Sequence, residues 1–537
     1  MFRLPLLMLV ATATTFAAAT HRLAEIADSH FAADKFMGSV LVVQAGDVLL
    51  EKSYGFADLE TKTPFTPATK FRIGSLTKQF TAAAILLLEQ DGRLTLDDPV
   101  SQHVPDAPPA WEKVTLFHLL THTSGIPSVT SLPGYATWKQ SPSTPAQTLA
   151  HVRDLPLEFE PGEKFNYSNS GYILLGHILE RLTGQSYPTF LRTRILEPLG
   201  LHDTGYDSPD AVVPDRATGY VAGPNGLIDA PVIHMDFPHA AGGLYSTPRD
   251  LLRWNEALFG GQLLSPASLE KMVTPFKDDY ALGLIVKNGP GTKVIDHGGG
   301  IEGFNSHLAF YPESKLTVVV LANVNGPATP LAALLGAAAR GERVTLPSER
   351  RAVDVPAEIL KSYVGVYRLN PQITNTIRFA DGQLTTQLTG QPAFPLFPES
   401  ETRFFLKVVD AQVEFSRDAQ GQATHLTQFQ NGRSIRATRI SDTVTERTAV
   451  DIPRSTKASY VGTYRLQPGF DLTITLEGDQ LMSQATGQEK FPVFPESETK
   501  FFLKVVDAQI EFFKDPTGTI THLVLHQGGR EMKAPRQ

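Results

Sequence analysis

The stretch Phe80-Thr81-Ala82-Ala83-Ala84-Ile85-Leu86-Leu87-Leu88 constrains the fold of this chain more than any other. Its apolar residues fall on every face at helical spacing, so the helix they predict offers no side to water and has to lie inside a core. Asp91-Gly92 closes it, because glycine readily takes the left-handed conformation just past a helix end. Ser75-Leu76-Thr77-Lys78 opens it. A serine and a lysine three residues apart share one helix face, about one turn from each other. A serine hydroxyl is a poor nucleophile near neutral pH without a neighbouring base, and a lysine held neutral is such a base. The positive helix N-terminus and an apolar surround both push a lysine pKa down.

Ser-x-x-Lys occurs three times in the chain, about as often as chance predicts, so the spacing is informative only through its setting. Ser268-Leu269-Glu270-Lys271 falls on a helix read as polar and exposed, and Ser497-Glu498-Thr499-Lys500 in a β-rich tail; only Ser75 opens a buried element. Two further elements follow downstream. Tyr167-Ser168-Asn169 precedes an amphipathic helix expected from about Tyr172 to Leu182 and closed by Gly184. A phenol titrates near pH 10, and beside a lysine it can both accept and donate a proton. His297-Gly298-Gly299-Gly300 leads into two strands, Ser306 to Tyr311 and Leu316 to Ala322. Glycines there let a substrate carbonyl approach the backbone, and an N–H near Gly300 can face an oxyanion.

This ordered set, Ser75-x-x-Lys78, Tyr167-Ser168-Asn169 and His297-Gly298-Gly299, resembles the serine β-lactamase and penicillin-binding-protein superfamily, nearest its class C and peptidase S12 branch. Phe71 to Gly74, His118 to Gly125 and Ala241 to Pro248 are similar to that branch as well. The resemblance covers about residues 30 to 340 and implies acyl transfer through a seryl intermediate. Carried over by position, it implies Ser75 as nucleophile, Lys78 as its partner and Tyr167 as proton shuttle. Asn169, His297, Gly298 and Gly299 would bind substrate, and the N–H groups of Ser75 and Gly300 would form the oxyanion hole. One departure is informative. Where most β-lactamases and D-alanyl-D-alanine peptidases carry Lys-Thr-Gly or Lys-Ser-Gly, this chain has an ordinarily neutral histidine and a glycine without a hydroxyl.

The departure directs the expectation to esters, amides or peptides with no carboxylate near the reacting bond, in the manner of esterases and D-aminopeptidases. A β-lactamase or D-alanyl-D-alanine carboxypeptidase is the second reading, and a penicillin-binding sensor or transpeptidase that stays acylated is the third. A pseudo-enzyme would not need Ser75, Lys78 and Tyr167 together. No metal or organic cofactor is expected. His118 and His122 stand at the i, i+4 spacing of a zinc pair, but Leu119 replaces the glutamate and no third ligand is apparent, so both are read as structural. Asp296 is read as a salt-bridge or turn residue, since adjacent strand residues point to opposite faces. Thr247-Pro248-Arg249-Asp250 reads as a capping box with proline at the first helical position.

At 537 residues two or three domains are expected. A net charge of -8 leaves no basic excess for nucleic acid or an anionic membrane. Arg3, the apolar run Leu4 to Ala11 and Ala17-Ala18-Ala19 read as an export signal over residues 1–19, with the mature chain beginning near Thr20 in a bacterial periplasm or outside the cell. The run is too short for a stable membrane anchor. With no cysteine, the exported chain holds together by packing alone.

A hydrolase domain is expected over residues 20–345, with an apolar helix from Leu331 to Ala339 ending at Gly341 near its close and a linker over 346–356 after it. Tyr363-Val364-Gly365-Val366-Tyr367-Arg368-Leu369 then recurs 97 residues later as Tyr460-Val461-Gly462-Thr463-Tyr464-Arg465-Leu466. The same offset carries Phe397 to Gln412 onto Phe494 to Gln509 with one difference, Arg403 against Lys500. Short alternating segments between Gly, Asp and Pro turns predict an antiparallel barrel or sandwich in each copy, over 357–442 and 456–537 with a linker over 443–455. These copies resemble lipocalin-like domains appended to some hydrolases of the same superfamily. They would bind a ligand, pair subunits into a homo-oligomer, lay a loop over the active site, or serve as scaffold. The expected fold is therefore α+β, a β-lactamase-like domain with an antiparallel sheet packed by helices, plus two small β-barrels.

Overall fold

Strands β1 (Gly38–Gln44), β2 (Asp47–Tyr54), β3 (Ile285–Gly289), β4 (Thr292–Ile301), β5 (Phe304–Tyr311) and β6 (Leu316–Ala322) form one antiparallel sheet in the order β3-β4-β5-β6-β1-β2. The computed structural model describes residues 5–32, 36–223, 226–289, 292–326, 328–430, 433–444, 447–506, 508–527 and 530–537. The chain divides into two compact units, Met1–Val344 and Thr345–Gln537.

Strand β6 is buried at every residue because both faces of the sheet are covered. Val319 and Leu321 enter the core that surrounds helix α2 (Thr77–Gln90). On the same face Asn255 of helix α5 (Pro248–Phe259) donates to Thr317 Oγ1 at 2.9 Å. The alternate residues Val318 and Val320 point the other way, where α1 (Pro5–Ala32) and α6 (Ala328–Ala339) pack. Helix α2 is buried from Thr77 to Leu88, as its all-round apolar pattern requires, and Gly92 follows it at φ +67°. Helices α3 (Asn169–Thr183) and α4 (His239–Gly242) pack against α2 and bring their first turns to its N-terminus.

Several local expectations change. Helix α3 starts at Asn169, not Tyr172, because Ser168 is extended and Asn169 already occupies the first turn. Helix α6 begins at Ala328, one turn earlier than expected. His118 and His122 do not share a helix face: their helix is only Leu116–Leu120, and His122 has left it at φ +56°. Ser268 is buried, its N–H donating to the cap residue Ser265 Oγ at 3.2 Å, so that helix is not exposed as a whole. Thr247 accepts from the Asp250 N–H, but the Asp250 carboxylate turns away to Asp203 N and Thr204 Oγ1, which leaves half a capping box. Asp296 faces Lys287 at 3.7 Å and His307 at 3.9 Å.

Helix α1 runs unbroken past Thr20, and Leu23, Ile26 and Ala27 are fully buried. Asp28 accepts from Lys52 Nζ and the Tyr54 hydroxyl, both at 2.6 Å. The half of α1 after Thr20 is thus part of the core, whereas Arg3 and Leu4 of the expected leader lie outside the described residues. Among the described residues no helix is long and apolar enough to cross a membrane.

The second unit holds two eight-stranded antiparallel barrels. The first runs from Gly365–Arg368 to Arg433–Ser441 and closes by pairing its first and last strands. The second runs from Gly462–Gln467 to Arg530–Pro535, with one bridge between Tyr464 and Arg536 joining its ends. The repeated Tyr-Val-Gly-x-Tyr segment makes the same lock twice. Tyr363 stacks on Phe415 with centroids 4.1 Å apart, and Tyr460 on Phe512 at 4.2 Å. The Tyr367 hydroxyl donates to Tyr363 O at 2.8 Å, and that of Tyr464 to Tyr460 O at 2.7 Å.

Tyr464→Phe removes that donor from a buried carbonyl and is expected to destabilise the second barrel by about 1 kcal/mol. All three tryptophans, Trp111, Trp138 and Trp254, lie in the first unit. Hydrogen exchange of the barrel amides is therefore the measurement, with protection falling about fivefold.

Candidate active site

Ser75 sits in a single 3₁₀ turn, Gly74–Leu76, that runs directly into α2. The turn is held by strand β4 passing against it. Gly74 is at φ +50°, and a Cβ there would stand 2.9 Å from Gly300 N. A Cβ on Gly299 would lie 2.0 Å from Ile73 O and 2.2 Å from Ser306 Oγ. Ser306 donates to that same Ile73 carbonyl at 2.7 Å. Gly299 thus serves contact between two protein backbones. Gly300 is different: it is exposed and its Cβ direction is open.

Lys78 is fully buried one turn below Ser75. Its Nζ has three neighbours, Ser75 Oγ at 3.1 Å, Asn169 Oδ1 at 2.8 Å and Ala241 O at 2.8 Å. Burial pushes its pKa well below the ordinary lysine value. A neutral amine has two hydrogens and one lone pair. Asn169 Oδ1 and Ala241 O can only accept, so they take the two hydrogens and the lone pair is left for the Ser75 hydroxyl. The acceptors are themselves anchored. Asn169 donates from Nδ2 to Thr130 Oγ1 at 3.0 Å and from its backbone to Ser128 Oγ at 3.1 Å. In α4, Ala240 O accepts from Thr81 Oγ1 at 2.7 Å, which ties this helix to α2. Asn169 lines the cavity beside Ser75, and among the described residues its second Nδ2 hydrogen has no partner.

Tyr167 is partly exposed, and desolvation of its phenol raises the pKa well above 10, against a smaller opposite effect from a hydrogen bond with Ser75. It is a protonated phenol at neutral pH. The His122 ring lies against it with centroids 4.1 Å apart and begins a relay that fixes three proton positions. The Ser168 N–H donates to His122 Nδ1 at 3.1 Å, so the hydrogen of His122 is on Nε2. That Nε2 lies 3.1 Å from the Tyr280 hydroxyl, which lies 3.1 Å from His297 Nε2. His297 Nδ1 is 2.6 Å from Gly298 O, an obligate acceptor, so Nδ1 carries the hydrogen and Nε2 accepts from Tyr280. Burial, then Lys78, lowers His297 to about 3. Burial, then Lys78 and His297, pushes His122 well below its ordinary value. All three groups are uncharged at neutral pH.

A cavity of about 490 Å³ opens over Ser75 and is lined also by Asn169, Gly300, Thr130, Tyr135, Lys139 and Glu302. His297, Gly298 and Gly299, expected at the substrate, are not among the residues that line this cavity, and neither are Tyr167 and Lys78. His297 is buried and hydrogen-bonded to Tyr280, and Gly299 is packed on Ile73. Position Gly298 faces Thr329 and His307 instead. Ser75, Lys78, Tyr167, Asn169 and Gly300 are brought together. Sequence reasoning took His122 as structural only and missed Tyr280, Thr130, Lys139 and Glu302. Tyr280 has no local signal, since its partners lie 158 and 17 residues away. A larger cavity of about 920 Å³, lined by Glu180, Tyr206 and His239 among others, contains none of the motif residues. Among the described residues no cluster of three or more His, Cys, Asp or Glu side chains could hold a metal.

Comparison with known proteins matches residues 32–341 to the family described as Beta-lactamase. Residues 349–439 and 446–535 each match a domain of unknown function, DUF3471. The chain is 31% identical over 411 residues to penicillin-binding protein 4* of Bacillus subtilis (strain 168), covering 71% of this chain and 90% of the relative. Among solved structures it is similar to the octameric penicillin-binding protein homologue from Pyrococcus abyssi. That likeness has 29% identity and a TM-score of 0.57 over 78% of this chain and 98% of the other. It is also similar to the D-amino acid amidase from Ochrobactrum anthropi SV3 complexed with L-phenylalanine amide. There the identity is 27% and the TM-score 0.53, over 61% of this chain and 98% of the other.

The expected role of Lys78 as base for Ser75 requires an unprotonated amine, which its lowered pKa makes accessible. The pH profile of kcat/KM is expected to rise with unit slope on the acid side and to level off well before pH 10.5. Lys78→Arg stays charged at every accessible pH and should lower turnover by about 10³-fold. Tyr280→Phe removes the donor to His297 and is expected to cost about tenfold in kcat with KM little changed, measured by steady-state kinetics.

Proposed function

This chain belongs to the Beta-lactamase family of serine hydrolases, which takes in penicillin-binding proteins and D-amino acid amidases, and we propose that it hydrolyses small esters, amides or peptides through an acyl-enzyme on Ser75. The observation that carries this reading is the Lys78 amine, buried and given two obligate acceptors so that its lone pair is left for Ser75 Oγ at 3.1 Å. Ser75 attacks the substrate carbonyl while Lys78 takes its proton. The N–H groups of Ser75 and Gly300, brought side by side by Gly74, stabilise the oxyanion. The Tyr167 phenol, protonated at neutral pH, gives a proton to the leaving group and recovers one from Lys78. A water entering through the open cavity then deacylates Ser75, with Lys78 again as base. Asn169 offers its remaining Nδ2 hydrogen to the acyl group.

Preference for substrates without a carboxylate beside the reacting bond is supported by His297, which burial keeps neutral where a lysine would be a cation. The likeness to a D-amino acid amidase favours amides of amino acids. The likeness to penicillin-binding proteins favours the second reading, acylation by a β-lactam with slow or no turnover. We further propose export of the chain, with the mature protein starting near Thr20 and keeping the buried half of α1. Self-association through the barrels, which the octameric relative makes reasonable, belongs to the same proposal.

The mature protein is incubated separately with a nitrophenyl ester, a D-alanine anilide and a chromogenic cephalosporin, following turnover and intact mass. Ester or anilide turnover, lost in Ser75→Ala, is the expected outcome. Fast cephalosporin hydrolysis would identify a β-lactamase, and a lasting mass adduct without turnover a penicillin-binding sensor or transpeptidase.

A further inference from the structure

Strand β3 pairs with β4 only from Thr292 to Asp296, so from His297 onward β4 has β5 as its single sheet neighbour. This one-sided stretch includes Gly298, Gly299 and Gly300, and Gly300 carries the N–H expected at the oxyanion. Gly300 N and O both face the Ser75 turn, each 2.9 Å from where a Cβ on Gly74 would stand. A glycine run has no side chains to pin its peptide planes, so each plane rotates at little cost. In a trans peptide the carbonyl of one residue and the N–H of the next point in opposite directions, and among the described residues no peptide bond is cis. The direction of the Gly300 N–H is therefore set by whatever holds the Gly299 carbonyl. Rotation of that plane would bring a carbonyl oxygen to the place where the oxyanion forms.

Besides the β4–β5 ladder, the Gly299 carbonyl is held by Asn305, the second residue of β5, which stands opposite Gly300 in the register. Asn305 Nδ2 donates to Gly299 O at 2.9 Å, and its Oδ1 accepts from the Ala328 N–H at 2.8 Å. Both ends of the amide are fixed by their partners, since Gly299 O can only accept and the Ala328 N–H only donate. Ala328 is the first residue of α6, and the first N–H groups of a helix have no partner within it. The same bond thus fills an orphan donor and ties the amide to a rigid element. Asn305 is not among the residues that line the catalytic cavity, so its influence on the reaction runs through the peptide it holds.

We infer that Asn305 is a positioning residue for the oxyanion hole: by holding Gly299 O it aims the Gly300 N–H at the developing negative charge. The inference rests on the hydrolase reading, and its test separates the two. Phenylboronic acid takes the Ser75 oxygen onto boron while the serine proton passes to Lys78, giving a tetrahedral anion with a boronate oxygen at the oxyanion position. Its dissociation constant and stoichiometry are measured by calorimetry on the full-length protein, beside kcat and KM for the nitrophenyl ester. Asn305→Ala is expected to weaken boronate binding and to lower kcat by one common factor, about tenfold, with KM little changed. Asn305→Asp keeps the shape and the acceptor for Ala328 but sets a second acceptor against Gly299 O, and is expected to cost about a hundredfold in both. A substitution that only impaired folding would lower the number of binding sites and leave the Kd of the remainder unchanged. A boronate Kd indifferent to both substitutions, or an Asn305→Asp protein closer to wild type than Asn305→Ala, would overturn the inference alone. Wild-type protein that neither binds the boronate nor turns over the ester would defeat the hydrolase reading, and the inference with it.

Discussion

Placing an uncharged amine at the bottom of the active site is the constraint on which the rest of this structure depends. A lysine with no exposed surface cannot keep its charge cheaply, and the protein around Lys78 is built for the neutral form. Helix α4 contributes little more than two carbonyls, yet both are used, one by Thr81 and one by Lys78. Helix α3 has to begin at Asn169 so that a side-chain carbonyl reaches the amine from a second direction. With both amine hydrogens directed, the third direction is Ser75, and hydroxyl and amine are paired in advance of any ligand.

The same economy of charge extends outward. His122, Tyr280 and His297 form a chain in which every proton position follows from an obligate donor or acceptor at its ends, the Ser168 amide and the Gly298 carbonyl. Such a chain is neutral throughout and packs against Tyr167 without competing for its proton. The histidine of the third motif is part of this chain, its Nε2 accepting from the Tyr280 hydroxyl. The charge present in the cavity instead belongs to Glu302, two residues past the glycine run, and to Lys139, which is remote from the motifs in sequence.

In the second unit much of the near-identical segment of the two copies is accounted for by repeated packing. Phe404 and Phe501 are core residues, each set edge-on to the stacked Tyr–Phe pair of its own barrel. Gln412 donates to Glu399 at 2.5 Å, and Gln509 to Glu496 at 2.6 Å. Lys407 lies 3.9 Å above the Phe397 ring, and Lys504 4.2 Å above Phe494. A sequence retained between copies in this way needs a common fold before it needs a common ligand.

By itself the sequence determined the buried helix, the serine at its head, the lysine one turn on, the strands after the glycine run and the duplication of the barrels. Each of these is written in local spacing, 3.6 or 2 residues per repeat, or in direct repetition. It misjudged the start of α3 and the length of the helix bearing His118, where a cap and a positive φ outweigh periodicity over one turn. Only the tertiary structure decided that Gly299 packs on protein while Gly300 opens to the cavity, that Tyr280 joins His122 to a buried His297, and that Lys139 and Glu302 line the cavity. Those assignments depend on which side of a strand or turn meets which distant neighbour, and on proton positions set by partners far away in the chain. No local pattern encodes them, because the interactions that create them exist only once the sheet and helices have closed around α2.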